Sequence, residues 1–448
     1  MKSQAVPSPA ATARTTVYQP WGRLQPPAGR VRDLGSPPDL SPGGGDGTLL
    51  PFGNGRSYGD ACMNSAGVLL GTRAHRGVLA FDEVAGTLRA EAGILLSEIL
   101  DAIVPKGWFL PVTPGTQFVT LGGAVANDVH GKNHHVAGTF GCHVTALELA
   151  RSDGSRVECS RTENPELFAA TIGGLGLTGV ILWCEIGLKP IAGRGIHVES
   201  RRFGGLDEFF ALSRELSGSF EYTVSWIDCL AGGPGLGRGW FMAGTHAPPG
   251  EQRAFKPSRG VNFFVQPPIS MVNSATLRAF NLVYYHRPVP RTRVTDYVPF
   301  FYPLDAVRNW NRMYGPRGFF QFQCVLPPAT GEAGIRDILL ETAKRREGSF
   351  LVVLKEFGDV ATPGLLSFPR PGPTQARDLP NRGEKTARLL RHLEAMVMEA
   401  GGALYPAKDA LMSPDTFRRS YPRWEALERL RDPAMNSDFW SRVTTGLR

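Results

Sequence analysis

The stretch Pro111–His143, PVTPGTQFVTLGGAVANDVHGKNHHVAGTFGCH, constrains this chain more than any other. Glycines at 115, 122, 123, 131, 138 and 141 stand among Thr, Ala, Asn and four histidines. So few large side chains let backbone N–H groups approach a ligand closely, as a phosphate-rich cofactor requires. Two common solutions are excluded, because the chain has no G-x-x-x-x-G-K-[ST] loop and no strand–G-x-G-x-x-G–helix unit. The stretch predicts a cofactor cradle of another kind.

Two further segments share its character. In PFGNGRSYGD (51–60), Gly53, Gly55 and Gly59 bracket a short turn after an apolar run. That is the geometry of a backbone nest for a pyrophosphate, although an ordinary β-turn fits the same residues. TIGGLGLTGVI (171–181) leads four glycines and two threonines into an apolar strand. Alone it reads as a tight barrel turn. Three such segments within residues 51–181 favour one elongated ligand over three unrelated turns.

Polar residues within apolar surroundings supply candidates for chemistry. His130, His134 and His135 invite a metal reading, since H-x-x-x-H on a helix presents two ligands on one face. Gly131 and Asn133 weaken that helix, and no Glu follows the first histidine. His130 and Lys132 suit a substrate hydroxyl or phosphate better; satisfying buried backbone groups is the alternative. Gln321 and Gln323 alternate with Phe320 and Phe322, so both amides face one side of a strand. Lys355 interrupts LVVLKEF, and Lys408 follows ALYPA. A lysine in an apolar run is ordinarily an edge or snorkelling residue.

Composition narrows the class. At 448 residues there is room for two or more domains, and 42% hydrophobic with 20% charged residues suits a soluble globular protein. No window approaches the roughly 18 consecutive apolar residues of a membrane span. MKSQAVPSPAATARTT lacks an apolar core, which predicts no secretory signal and a cytoplasmic protein. The net charge of +8 is dispersed, with a denser zone over 370–394. No nucleic-acid-binding module accompanies it, so no nucleic-acid partner is expected. An anionic substrate or an anionic membrane surface fits better. The six cysteines are scattered without a C-x-x-C pair, and read as reduced, small buried residues.

Along the chain, residues 1–15 predict disorder and 35–49 an irregular Pro/Gly-rich loop. From 48 to 190, short β-rich runs alternate with glycine turns. Helical pieces at 95–107 and 164–171 interrupt them, giving α+β character. Beyond 194, the aromatic runs EYTVSWIDCL, VNFFVQ, FNLVYYH, GFFQFQCVL and SFLVVLKEF read as strands of an antiparallel sheet. LDEFFALSRELSG and GIRDILLETAKRR read as helices on one face of it. Apart from VNFFVQ, residues 231–279 lack periodicity and predict mobile loops over a site. The chain closes on a helix-rich segment beginning TARLLRHLEAMVMEAGG.

Taken together, these motifs resemble the FAD-dependent oxidases of the vanillyl-alcohol oxidase type, and among them the branch that oxidises decaprenylphosphoryl-ribose. The shared strings are WGR (21–23), GRSYGD (55–60), PGT (114–116), HGKNHH (130–135), AGTFG (137–141) and GLTG (176–179). They continue through PLD (303–305), YGP (314–316), QFQ (321–323), LSFP (366–369), AKD (407–409) and YPR (421–423). The resemblance implies an α+β protein with a two-part FAD-binding domain, 16–193 and 403–448. That domain encloses a substrate domain, 194–402, with an antiparallel sheet covered by helices.

Residue by residue, it implies that Gly53, Asn54, Gly55, Arg56, Ser57, Gly115, Thr116, Thr120, Gly122, Gly123 and Asn127 hold FAD. Gly176 and Ile181 then flank the adenine end, and Tyr58, His130 and Tyr405 also touch the cofactor. Catalytic candidates are Lys408, Lys132, His130, Tyr58, Gln321 and Gln323, with no metal. Lys408 is implied at the flavin N1–C2=O edge, where a fixed cation stabilises the charge of the reduced ring. Trp226, Phe301, Lys355 and Lys132 are implied to contact substrate.

Four departures stand out. Arg56 occupies the glycine turn where several sugar-lactone oxidases carry a flavin-linked histidine, which predicts non-covalent FAD. Thr374 and Ala376 replace an Asn and a Cys near the flavin. Leu175 replaces the Asn of a GGNG turn, and the N-terminal loop is short. The expected reaction is oxidation of a sugar secondary alcohol to a keto sugar, on a polyprenyl-phosphate-linked pentose. A soluble sugar, polyol or aldonolactone stays open as substrate, as does a flavin-binding partner subunit without catalysis of its own. The resemblance also raises a partner reductase for epimerisation and peripheral contact with the inner membrane.

Overall fold

Among the described residues, three larger sheets and two short two-stranded pairs hold the strands. The computed structural model describes residues 18–41, 47–252, 255 and 260–446. Residues 1–15 and the middle of the Pro/Gly-rich loop (42–46) lie outside the described residues. Strands β1 (Val31–Asp33), β2 (Leu49–Phe52) and β3 (Val68–Gly71) form a parallel sheet in the order β1-β3-β2. Strands β4 (Val78–Asp82), β5 (Thr87–Glu91), β6 (Val144–Ala150), β7 (Arg156–Ser160) and β8 (Val180–Gly187) form an antiparallel sheet. Its order is β4-β5-β8-β6-β7.

Helix α1 (Leu96–Ile103) follows from its sequence pattern. Leu96, Ile99, Leu100 and Ile103, spaced three and four apart, are all buried against this sheet. The Glu98 carboxylate accepts the Leu95 N–H at 2.7 Å, supplying a partner at the helix start. The short helix α2 (Leu121–Ala126) starts where Thr120 Oγ1 accepts the Gly123 N–H at 3.2 Å.

The large sheet has eight strands. They are β9 (Gly195–Phe203), β10 (Tyr222–Ile227), β11 (Gly239–His246), β12 (Thr292–Asp296), β13 (Phe319–Val325), β14 (Val352–Phe357), β15 (Gly372–Pro380) and β16 (Ala403–Leu404). All pair antiparallel, in the order β12-β9-β11-β10-β14-β15-β13-β16. Helices α3 (Leu206–Leu216), α5 (Pro328–Arg345) and α6 (Glu384–Glu399) cover one face; α4 (Ser274–His286) lies elsewhere, beside Trp226 and Trp240.

Period-two alternation divides the two faces. Phe322, Cys324, Val352, Leu354, Phe241 and Ala243 pack with Phe209, Phe210, Ile335, Leu339, Leu389 and Leu393 of the covering helices. Their strand neighbours Gln321, Gln323, Val353, Lys355 and Met242 point the other way, into a cavity.

Three expectations need correction. FNLVYYH (280–286) is the C-terminal half of α4, not a strand. Aromatic and β-branched residues gave it strand character, but the capping box of Asn273 and Thr276 starts a helix. VNFFVQ contributes only Val261–Asn262, paired parallel with Val307–Arg308. The third concerns 231–279, expected as loops. GWFMAGTH within it is β11, which pairs with both β9 and β10. Its two glycines hid the alternation; at Gly239 a Cβ would meet the Trp226 carbonyl oxygen at 2.0 Å.

The C-terminal segment returns to the first part of the chain. Leu49 N–H donates to Ala434 O at 2.7 Å, and Asn436 N–H to Leu49 O at 2.9 Å. The Asp432 carboxylate accepts from the Ser152 N–H at 2.7 Å and the Ser152 hydroxyl at 2.5 Å. Among the described residues no helix is long and apolar enough to cross a membrane.

Candidate active site

The exposed face of the large sheet, the glycine turns and the C-terminal turn enclose one cavity of about 1680 Å³. Roughly 300–1,000 Å³ holds a drug-sized ligand, so there is room for a long cofactor and a substrate together. The glycine-rich wall comprises Gly53, Asn54, Gly55, Arg56, Ser57 and Tyr58, then Gly115, Thr116, Thr120, Gly122, Gly123 and Asn127. Gly176 and Ile181 extend it. His130, Lys132, Trp226, Phe301, Gln321, Gln323, Lys355, Tyr405 and Lys408 line the remainder. Every residue implied to hold cofactor or substrate or to act in catalysis lines this one cavity; His134, His135 and Thr374 do not.

Close packing explains two of the glycines. A Cβ on Gly53 would sit 2.3 Å from Thr120 Oγ1, so the first turn lies directly on the start of α2. A Cβ on Gly59 would sit 1.6 Å from the backbone oxygen of Asp409, which brings the GRSYGD turn against the turn carrying Lys408. Tyr58 N–H donates to Ala407 O at 3.0 Å across the same junction. Residues 350 positions apart in sequence become neighbours this way.

Two ends of the cavity differ in chemistry. At the glycine-rich end Arg56 stacks 4.1 Å from the Trp21 ring centre with Nε buried and unpartnered, while Arg73 and Arg76, which also line the cavity, pair with Glu98. Burial pulls the Arg56 pKa down, opposed by the charge of Asp305. Small residues, turn backbone and an unsatisfied guanidinium fit the diphosphate of a dinucleotide.

At the other end lie three lysines. Lys408 Nζ stands 4.0 Å from the Tyr58 ring centre and makes no hydrogen bond among the described residues. Burial lowers its pKa, while Asp378 holds it up; burial raises the Asp378 carboxyl, which Gln321 Nε2 (2.6 Å) and Lys408 counteract. Lys132 donates to Phe300 O at 2.5 Å, and burial pushes it down to about 7. Lys355 is likewise pushed to about 7, first by burial and then by Lys132 and Lys408.

His130 sits at the centre of this group. Its Nδ1 is 2.9 Å from Lys355 Nζ and its Nε2 is 3.0 Å from Gln323 Nε2. The rings of Phe357, Phe368 and Tyr405 surround it. Burial and the neighbouring lysines hold its pKa well below 6.5, so the ring is neutral. A neutral imidazole has one acceptor nitrogen, so the tautomer follows its neighbours. With Lys355 neutral, Nδ1 carries the proton and Gln323 Nε2 donates to Nε2; with Lys355 charged and donating to Nδ1, Nε2 carries the proton and the Gln323 amide must turn its oxygen to it, giving up its bond to Thr374. Both ring nitrogens are engaged by protein, which makes His130 a positioning residue for Lys355 and Gln323. Among the described residues, no three His, Cys, Asp or Glu side chains are placed to hold a metal.

The departures have structural addresses. Thr374 is buried in β15, accepts from Gln323 Nε2 at 3.3 Å and donates to Cys324 O at 2.8 Å; Ala376 lines the cavity. Leu175 adopts φ +58°, a conformation that Asn or Gly takes more readily and that costs a Leu roughly 1–2 kcal/mol. Sequence reasoning missed Asp305 and Asp378. Asp305 accepts the Gln117 N–H at 3.0 Å beside Arg56, and Asp378 stands opposite Gln321 in the β13–β15 register. Nothing local singled out the second, because TQARDLP is polar at four of its seven positions.

Residues 46–160 match the model of an FAD binding domain. The chain is 33% identical over 435 residues to the decaprenylphosphoryl-beta-D-ribose oxidase of Mycolicibacterium smegmatis, covering 92% of this chain and 94% of that protein. Shorter similarities reach the L-gulonolactone oxidase of Mus musculus, 34% identical over 31% of each chain. The Delta(24)-sterol reductase of Homo sapiens is 31% identical over 25% of this chain and 22% of its own.

Proposed function

The chain belongs to the family of FAD-dependent oxidases that includes decaprenylphosphoryl-beta-D-ribose oxidase, and we propose that it oxidises a secondary alcohol of a polyprenyl-phosphate-linked pentose to a ketone. It is an FAD-dependent oxidoreductase of a sugar-like substrate. The observation that carries the finer reading is the convergence of Lys132, Lys355 and Lys408 on one cavity. The charged forms of Lys355 and Lys408 are costly out of water unless an anion joins them, and a sugar phosphate supplies one where a neutral polyol does not; Lys132 is left neutral to act as a base.

Bound FAD supplies the two-electron acceptor. Gly53–Ser57, Gly115–Thr116 and Thr120–Asn127 would hold its diphosphate and ribityl path, with Gly176 and Ile181 beside the adenine. Arg56 cannot form the histidyl–flavin bond, so we assign the cofactor as non-covalent. Lys132, near neutrality, holds the substrate hydroxyl and takes its proton as the carbinol C–H bond breaks. His130 and Gln323 fix Lys355 beside the sugar, and the free Oε1 of Gln321 accepts from a second hydroxyl. Trp226 and Phe301 shape the wall. The ketone is then open to a partner reductase, which would complete an epimerisation.

Anaerobic mixing tests the reading directly. The yellow protein should bleach with a prenyl-phosphate-linked pentose and not with free sugars or polyols. Bleaching by free polyols or aldonolactones alone would remove the lipid-linked substrate.

A further inference from the structure

The buried aspartates of this chain are fully bonded, with one exception. Among the described residues, Asp60, Asp228 and Asp296 pair with Arg442, Arg238 and Arg194. Asp128 accepts the Gly141 N–H at 2.8 Å and the hydroxyls of Thr362 and Ser367. Asp432 accepts from the Ser152 N–H and hydroxyl and from the Ala434 N–H. Asp378 is 1% exposed and forms no ion pair among the described residues. Its carboxylate accepts one hydrogen bond, from Gln321 Nε2 at 2.6 Å. A buried carboxylate with so few donors destabilises the fold, so its place there calls for another reason.

Its neighbours supply one. An ionised carboxylate only accepts, so the Gln321 amide must present its NH2 to Asp378 and cannot turn; the Gln323 amide, between His130 and Thr374, can. The turn carrying Lys408 hangs from the same strand. Tyr405 N–H donates to Gln323 O at 3.1 Å, and Lys408 N–H donates to Tyr405 O at 3.0 Å. Lys408 Nζ then lies over the Tyr58 ring, 4.0 Å from its centre. Burial first, then the Asp378 charge, raises the phenols of Tyr58 and Tyr314. Burial lowers Lys408, and Asp378 opposes it. Lys355 and His130, lowered first by burial, are pushed down further by neighbouring cations that include Lys408.

We propose that Asp378 is a positioning residue for Lys408: fixed by the Gln321 amide, its carboxylate is the counter-charge that keeps Lys408 an ammonium facing the cavity. This rests on the placing of Lys408 beside the flavin ring. Without Asp378, Lys408 is a buried cation facing Lys355, and it gives up its proton at lower pH. A neutral amine cannot stabilise negative charge arriving on the ring.

The test is sulfite titration of the flavin-loaded full chain. Sulfite adds to oxidised flavin and leaves the ring anionic, so its affinity reads the charge beside the ring and needs no sugar. Asp378→Asn, nearly isosteric, should weaken sulfite binding on the order of tenfold in alkaline solution, since each pKa unit lost is about tenfold in ammonium fraction. The loss should shrink in acid, where Lys408 keeps its proton in both proteins. Asp378→Glu keeps the charge and should recover most of the affinity. With Lys408→Met already in place, Asp378→Asn should change little. Flavin-free Asp378→Asn protein should melt no lower than wild type, because it loses an underbonded carboxylate. Sulfite affinity indifferent to Asp378→Asn at every pH, or weakened equally when Lys408→Met is present, overturns the proposal. A lower melting temperature with a loss of affinity that does not vary with pH makes Asp378 structural only, and overturns it too. Failure of the reading beneath it shows separately, as unchanged sulfite affinity in Lys408→Met itself.

Discussion

At the scale of single residues, the site is governed by lysines that the fold removes from water. Lys355 shows the consequence for stability. Its pKa falls from 10.5 to about 7 on burial, so between those values the unfolded chain holds a proton that the folded chain lacks. Stability therefore rises with pH across that window, by up to about 1.4 kcal/mol per unit for this one group. Below pH 7 the full cost of a buried ammonium remains. Lys355→Met should make the flavin-free protein more stable at pH 6, with the advantage shrinking as pH approaches 10. Thermal unfolding of both proteins across that range decides, and a constant difference would exclude Lys355 as the titrating group. Lys408 bears on chemistry instead. Its ammonium has no hydrogen-bond partner among the described residues and faces the cavity, so Lys408→Ala should retain FAD yet slow flavin reduction by substrate on the order of 10²–10³-fold. Unchanged anaerobic reduction kinetics would remove it from the mechanism. Both lysines were visible in the sequence as charges in apolar runs. The engagement of both His130 nitrogens was not, because it depends on β13 and β14 bringing Gln323 and Lys355 together across 32 residues of chain.

At the scale of elements, legibility followed periodicity. Helix α1 and strands β13 and β14 show their buried faces in the sequence, since one side meets the core and the other meets solvent or the cavity. Helix α4 does not, because its outer face is also apolar, and that erased the 3.6-residue pattern. The C-terminal helix Asp438–Thr444 teaches a different lesson. Its Arg442 bonds both oxygens of Asp60 at 2.8 Å and Asp409 Oδ2 at 3.0 Å, pinning the Lys408 turn to the GRSYGD turn. Nothing local in the sequence announces a clasp between residues 60, 409 and 442. Arg442→Ala leaves two buried carboxylates facing each other. It should cost toward the lower end of about 3–5 kcal/mol, given the 27% exposure of the Arg442 side chain. Arg442→Lys keeps the charge but loses the fork, and should recover part of the loss. Equal melting temperatures for wild type and Arg442→Ala would show that the clasp contributes nothing.

At the scale of the whole molecule, the cavity belongs to no single stretch of chain. Its walls come from 51–58, 113–132, 175–181, the large sheet and 405–408. A ligand spanning them binds only when all are assembled, so its binding free energy adds to folding. For one site the gain is RT ln(1 + [L]/Kd), about 2.7 kcal/mol at a hundredfold excess over Kd. Flavin-free protein should accordingly show one unfolding transition that moves up continuously with added FAD. The shift should reverse on flavin removal, because Arg56 forms no covalent link. Acid-precipitated protein should leave its flavin in the supernatant, whereas a yellow pellet would refute non-covalent binding. Two transitions, with FAD moving only one, would mean that the cofactor rests on part of the chain. In that case the large sheet would contribute substrate contacts alone, and the three lysines would act without helping to hold the flavin.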